Sequence, residues 1–272
     1  MPNKVILITG ASSGIGKSCA EYLSKKGYKV YGTSRKPITG MKTGVSSYDI
    51  IQMDVNEEVS ISQCIDHIIS KEGRLDVVVN NAGIGIAGSV EDTSIDDMKY
   101  QFETNYFGVL RVCHEVLHIM RKQQYGYIIN IGSIAGLIGT PFQGAYSASK
   151  SAVQSLTEVL RMEVMPYGIR VVLIEPGDFK TGFTNNRVYT TNSRINPTYS
   201  ERLKKAIQTM EHDEINGCDP VKIAKLLERI INNPSPKLRY LVGPFMEKFA
   251  VQLRKFIPSK LFEKIIMDNY HI

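Results

Sequence analysis

Tyr146 and Lys150, in the run GAYSASK over 144–150, are the residues of this chain best suited by type and spacing to carry out a reaction. Four positions apart on an α-helix, a phenol and an ammonium fall on one face, one turn from each other. A free phenol ionises near ~10 and a free ammonium slightly above it, so at neutral pH the pair is a neutral acid beside a fixed cation. An adjacent cation favours the phenolate and lowers the tyrosine's pKa. That brings its proton into range for general acid–base work on a carbonyl or alcohol oxygen. The same spacing occurs on many solvent-facing helices, so the pair takes its meaning from the elements that position it.

Val5–Ile8 is a short, continuous apolar run followed at once by glycines, as in a central parallel strand buried on both faces. It leads into TGASSGIG (9–16) and a helical stretch over 17–26. In that turn Gly10, Ser12, Ser13, Gly14, Ile15 and Gly16 bring backbone close to where a pyrophosphate would sit, at a helix N-terminus. The spacing is GxxxGxG, and strand, turn and helix in that order make it a strong dinucleotide signal. A second strand over Lys29–Ser34 ends in Thr33, Ser34, Arg35 and Lys36. An acid at this strand end would accept the 2′-hydroxyl of NAD and repel a 2′-phosphate. Here stand a hydroxyl and two cations, and the donor fork of Arg35 suits phosphate oxygens. The cofactor expected is NADP(H).

A short third strand over 49–53 brings Asp54 and Val55 to where an adenine would lie, and a helix over 57–71 follows. The next buried strand, 76–80, closes in Asn80, Asn81, Ala82 and Gly83, small and amide side chains that suit a crevice wall. Ser94 is expected to cap one long helix over 94–122, helped by Asp97, with Asn105 inside it on an apolar face. A strand over 127–131 delivers Gly132 and Ser133, and the helix carrying Tyr146 and Lys150 runs to about 165. A sixth strand, 169–174, is closed by Glu175, Pro176 and Gly177. From 178 to 198 the chain is polar and weakly periodic, as a lid or binding loop would be. Helices over 199–211 and 220–232 and a last strand over 238–242 complete the pattern.

Strands and helices alternating in this way predict an α/β fold, a doubly wound seven-stranded parallel sheet of the Rossmann type. The combined motifs resemble the short-chain dehydrogenase/reductase family over 4–243. TGASSGIG, Asp54, NNAG (80–83), Asn105, Ser133, the YSASK run and Pro176-Gly177 match in order and spacing. The resemblance implies that Tyr146 is the general acid/base and that Lys150 lowers its pKa and holds the nicotinamide ribose. It further implies that Ser133 bonds the reacting oxygen, that Asn105 keeps a water and its helix in place for proton relay, and that Thr181 binds the nicotinamide carboxamide. Asp178 is less usual in that segment. Beside the resemblance stands the chemistry itself: a hydride reaching a carbonyl carbon builds charge on oxygen, which needs a donor in place and a proton at hand.

Within that family the chain is similar to the branch of 17β-hydroxysteroid and retinol dehydrogenases and related bacterial reductases, through 32–35, Ile84-Gly85, 139–142 and 180–183. Ile84, Ile86, Ile134, Leu137, Ile138, Phe142, Phe179 and Phe183 are expected on the pocket loops, and apolar walls favour a hydrophobic ketone, aldehyde or alcohol that is steroid-, retinoid- or acyl-like. His212 is expected to be a solvated helix-end residue. The rival reading is a dinucleotide-binding regulator without turnover, which would have no need of Asn105, Ser133, Tyr146 and Lys150 together.

The 272 residues suit one large domain, here 1–243 with 178–199 as substrate loop, followed by an amphipathic extension over 244–272. Of the net charge of +6, the 237–272 tail carries +4, seven Lys/Arg less three Asp/Glu. In that tail Phe245, Phe249, Leu253 and Phe256, then Leu261, Phe262, Ile265 and Ile266, recur at helical spacing. Packing over the cleft or at a subunit contact explains this pattern, and the interleaved basic residues also permit docking to an anionic membrane. No basic cluster with interleaved aromatics suggests nucleic acid. Cys19, Cys64, Cys113 and Cys218 are far apart with no histidine at ligand spacing, so neither a metal site nor a disulfide is expected. The early first strand and the lack of a long apolar run lead to the expectation of a cytoplasmic protein. The resemblance implies a homodimer or homotetramer formed through the helices at 94–122 and 146–165.

Overall fold

The structure, a computed structural model, describes residues 4–36 and 48–272. Its sheet begins with β1 (Val5–Ile8), all of it buried. Val5 and Leu7 join the core on one side of the sheet, Ile6 and Ile8 the core on the other. A strand covered on both faces shows no polar side to water, hence the unbroken apolar run. There follow α1 (Gly14–Lys25), β2 (Lys29–Ser34), β3 (Asp49–Gln52), α2 (Glu58–Glu72) and β4 (Val77–Asn80). A two-residue strand, β5 (Ile86–Ala87), precedes α3 (Ile95–Phe102), α4 (Gly108–Gln123) and β6 (Gly126–Ile131). Next come α5 (Gly144–Val164), β7 (Ile169–Pro176), β8 (Val188–Tyr189), α6 (Thr191–Ile195), α7 (Ser200–Asn216) and α8 (Val221–Ile231). The chain ends with β9 (Arg239–Val242), α9 (Phe245–Leu253) and α10 (Ser259–Asn269).

Seven strands form one sheet in the order β3-β2-β1-β4-β6-β7-β9, every pair parallel, as the alternation predicts. Cys19 and Leu23 of α1 pack with Ile223 and Leu227 of α8 on one face. On the other, Ile61 and Ile65 of α2, Val112 and Val116 of α4, and Val153 of α5 form the second core. The strand order reverses between β1 and β4, and at such a switch point a crevice opens outside the carboxyl ends of the strands.

Two expectations are corrected. The single helix over 94–122 is interrupted by a wide π turn, Glu103–Phe107, which separates α3 from α4 and carries Asn105. One extra residue in a helix leaves the apolar period nearly intact, so the sequence pattern does not register it; such turns favour functional sites. Ser94 does cap α3, its hydroxyl accepting the Asp97 N–H at 3.0 Å. The stretch 178–198 is more regular than a polar loop: β8 pairs with β5 through Ile86–Val188 and Ala87–Tyr189, and α6 follows. Strands of two residues are too short to show a period.

The tail forms two helices, as its spacing predicts. Val251 of α9 and Phe262 of α10 are buried against Ile138, with Ile134, Leu137 and Leu241 around them. One face of the extension therefore packs on the loop that follows β6. Cys19, Cys64 and Cys113 are buried free thiols, and Cys218 is a partly exposed one.

Candidate active site

The carboxyl ends of β1, β2, β4, β6 and β7 surround a cleft of about 590 Å³. Every residue expected to hold cofactor or catalyse lines it, except Gly16 and Asn105. Gly16 packs beneath the glycine turn, where an added Cβ would come within 2.5 Å of the Gly10 carbonyl oxygen. Asn105 is only 1% exposed and stands behind the wall.

At the β1 end, the Thr9 hydroxyl accepts the N–H groups of Asn81 and Ala82 at 3.0 and 2.9 Å, and the Asn81 amide donates to the Thr9 carbonyl at 2.9 Å. These bonds tie the glycine turn to the end of β4. Gly10 sits there at φ +65°, with Ala82 Cα only 2.9 Å from where a Cβ would be. A side chain at that position would be strained and would clash. Thr33 Oγ1 and Thr104 Oγ1 are buried, have no protein partner, and line the cleft. Thr181 stands over Gly14, its Cβ 3.4 Å from a Cβ built there. A glycine cradle at a helix N-terminus with orphaned hydroxyls around it fits a dinucleotide. At the far rim Arg35 is exposed and donates from Nη1 to the Tyr100 hydroxyl at 3.2 Å.

Tyr146 and Lys150 project from the first turns of α5. The ammonium donates to the Ile131 carbonyl at 2.8 Å and lies 5.8 Å from the centre of the Tyr146 ring. Burial pushes the Tyr146 phenol up to about 12, opposed by a hydrogen bond with Ser133; Glu214 pushes the same way, Arg187 against it. Burial also brings Lys150 down to about 8. The expected lowering of the phenol by the cation is therefore not what the protein alone produces. Both groups lose their hydration in the closed cleft, and desolvation outweighs their mutual attraction at this separation.

Asn105 is held on three sides. Its carbonyl oxygen accepts the Ile84 N–H at 2.9 Å, and its amide donates to the Ile84 carbonyl at 3.0 Å and to Ser149 Oγ at 3.1 Å. Ser149 in turn donates to the Tyr146 carbonyl at 2.7 Å. The π turn thus connects the β4–β5 loop with the helix turn that carries the phenol.

Part of the cleft wall near Tyr146 is acidic, which sequence spacing did not foretell. Asp178, Glu214 and Glu247 line it together with Tyr270 from just beyond α10. The Asp178 N–H donates to Glu247 Oε2 at 3.0 Å. Burial, then the Glu247 charge, pushes the Asp178 carboxyl well above its ordinary range, and burial raises Glu247 as well. Glu214 accepts from Thr184 and from Arg187, whose side chain is fully buried. Asp178 was visible as an unusual residue after Pro176-Gly177, but its partners come from separate helices. Of the expected apolar residues, Ile84, Ile134, Phe179 and Phe183 line the cleft, with the Phe183 ring 5.6 Å from that of Tyr146. Ile86, Leu137, Ile138 and Phe142 pack into the surrounding core instead. His212 is solvent-exposed beside Asp213, as expected.

Comparison with known proteins agrees with this geometry. The chain is 40% identical to 3-ketodihydrosphingosine reductase of Bacteroides thetaiotaomicron over 272 residues, covering 100% of both. Among solved structures, a short-chain dehydrogenase from Streptomyces avermitilis superposes with a TM-score of 0.82 at 31% identity, over 96% of this chain and 95% of that one. A short-chain dehydrogenase/reductase from Burkholderia phymatum in complex with NAD gives 0.79 at 26% identity, over 93% of each. The short chain dehydrogenase profile matches residues 4–192, and the chain belongs to that family of oxidoreductases that take a nicotinamide dinucleotide.

Proposed function

We propose that this protein is an NADP(H)-dependent carbonyl reductase acting on a long-chain ketone that carries an amine beside the carbonyl, the chemistry named by its Bacteroides relative. The observation that carries this reading is a cleft that holds a neutral, largely buried phenol together with a set of carboxyls near enough to act on it. An ammonium next to the ketone would find Asp178, Glu214 and Glu247 close enough for two of them, Asp178 and Glu214, to be felt at the Tyr146 hydroxyl. A steroid or retinoid offers no cation to that part of the cleft. The apolar tail of such a ketone suits the walls formed by Ile84, Ile134, Phe179 and Phe183.

When bound, the dinucleotide supplies the hydride to the carbonyl carbon. The chain's own residues handle the oxygen. Tyr146, neutral at pH 7, gives its proton to the developing alkoxide, and Ser133 donates a hydrogen bond to the same atom. Lys150 holds the nicotinamide ribose and feeds a proton back toward the phenolate. Gly10, Ser12, Ser13, Gly14 and Ile15 carry the pyrophosphate, Asp54 and Val55 the adenine, Asn81, Ala82 and Gly83 the adjoining ribose wall, and Pro176, Gly177 and Thr181 the carboxamide. Ser34 and Arg35 take the 2′-phosphate, because no acid occupies the end of β2.

In this reading residues 1–243 form the catalytic unit, 178–199 the substrate loop, and 244–272 a cover that adds Glu247 and Tyr270 to the cleft. Copies pair through the segments 94–122 and 146–165, where Phe107, Val159 and Met162 are exposed. The test is nicotinamide oxidation followed by absorbance with 3-ketodihydrosphingosine, its des-amino analogue and a steroid ketone. Preferred turnover of the amino ketone supports the reading. Binding of NADPH without consumption of it by any ketone would refute it.

A further inference from the structure

The helices that close the chain have two dissimilar faces. The inner face is fastened: Val251 and Phe262 are buried on Ile138, Arg254 donates to the Leu137 carbonyl, and Glu247 bonds the Asp178 N–H. The outer face is not covered by any other part of the chain among the described residues. Phe245 is 73% exposed, Met246 68%, Phe256 83%, and Phe249, Leu261 and Ile265 between 40% and 49%. Phe245 and Phe249 lie with their rings nearly parallel, 6.2 Å between centres. Isolated apolar side chains on a surface need no explanation, but a run of this size on a fastened element points to a partner.

Charge narrows the choice of partner. Lys255, Lys260 and Lys264 are exposed within and beside the apolar stripe, and Lys248 is partly exposed. Over 245–269 there are five Lys/Arg and three Asp/Glu, and one of the acids, Glu247, points inward at Asp178. Protein interfaces are depleted in lysine, whereas apolar and aromatic residues flanked by lysines suit the headgroup region of a bilayer. No helix among the described residues is long and apolar enough to cross a membrane, so the contact is peripheral.

We infer that the outer face of α9 and α10, with Phe256 between them, docks on an anionic lipid bilayer. The same helices supply Glu247, and α10 is followed directly by Tyr270, both in the wall of the cleft. Docking therefore sets the cleft beside the membrane surface, where an apolar chain can pass from lipid to protein without crossing water. The docking itself does not depend on the substrate assigned above.

Flotation of the full-length protein with vesicles tests this, using phosphatidylcholine alone and phosphatidylcholine mixed with phosphatidylglycerol. The wild type is expected to float with the mixed vesicles, to stay behind with phosphatidylcholine alone, and to dissociate as salt is raised. Phe249→Ser with Phe256→Ser, and separately Lys255→Glu with Lys260→Glu and Lys264→Glu, should each weaken flotation by about tenfold or more. Thermal stability and turnover of a soluble short-chain ketone should stay at wild-type levels in both variants. Three results overturn the inference: no flotation of the wild type at low salt, undiminished flotation of folded variants, or a solution dimer that the same substitutions dissociate. Turnover of the soluble ketone reports on the active site separately, so either reading can fail without the other.

Discussion

Asp178 and Glu247 stand 69 positions apart in the chain, yet the Asp178 N–H donates to Glu247 Oε2 at 3.0 Å in the wall of the cleft that holds Tyr146. The contact draws the C-terminal extension into the active site. It also places two carboxyls where one proton is shared more easily than two charges are borne, since burial raises both.

An ammonium entering beside that pair relieves the repulsion, whereas a neutral ligand does not. Asp178→Asn combined with Glu247→Gln should therefore lower kcat/KM for the amino ketone by roughly 10- to 100-fold, about the worth of a charge-assisted hydrogen bond. The des-amino ketone should be affected far less. Equal losses on both substrates would show that the carboxyls do not read the amine.

In the proposed reading cofactor choice rests on Arg35, which is exposed at the rim and steadied by Tyr100. Arg35→Asp should move the NADPH/NADH ratio of kcat/KM toward NADH by about 100-fold, by removing a phosphate partner and adding a repulsive charge. An unchanged ratio would remove the basis for NADP(H).

Lys150 is brought down by burial from 10.5 to about 8. Between those values the unfolded chain holds more protons than the native one, so the native state gains stability as pH rises through this window. The gain is lost again as pH falls back through the same window, and is gone below the folded value, where the buried amine is charged. Thermal unfolding of the cofactor-free protein from pH 7 to 10 should show wild type gaining on Lys150→Met, by on the order of a few kcal/mol in full. Parallel pH profiles would mean that the amine is solvated.

Asn105 satisfies both backbone groups of Ile84. Asn105→Ala leaves the Ile84 N–H without its partner, while the Ile84 carbonyl keeps its bond from the Gln101 amide, and should cost roughly 1–3 kcal/mol of stability. It also frees Ser149, and through it the turn bearing Tyr146, so kcat should fall by more than KM rises. Asn105→Asp keeps an acceptor for the Ile84 N–H but loses both donors, and should recover only part of the loss. A stability cost with unaltered kcat would reduce Asn105 to a structural residue.

Much of this was legible from local pattern. Strands buried on both faces read as unbroken apolar runs, and TGASSGIG announces its turn because the close approach of Ala82 to Gly10 excludes a side chain. That Ser133, Tyr146 and Lys150 share one cleft was legible for a related reason: each sits at a fixed offset from a strand end or helix start. What escaped depends on contacts between distant segments. The π turn around Asn105 leaves the apolar period intact, and β5 pairs with β8 across about a hundred residues through two positions each. Glu214 and Glu247 reach the cleft from α7 and α9, and no spacing in the sequence links them to Asp178. Even the sign of the Tyr146 shift follows from how closed the cleft is, which the Tyr-Lys spacing does not convey.

In the proposed reaction the Tyr146 hydroxyl hands its proton to the substrate oxygen as hydride arrives at the adjoining carbon. Single-turnover consumption of bound NADPH by the amino ketone, compared between wild type and Tyr146→Phe, tests it most directly. The rate is expected to fall by about 100- to 10,000-fold in the variant, with NADPH affinity and thermal stability near wild type. A Tyr146→Phe protein that consumes NADPH at the wild-type rate would contradict it.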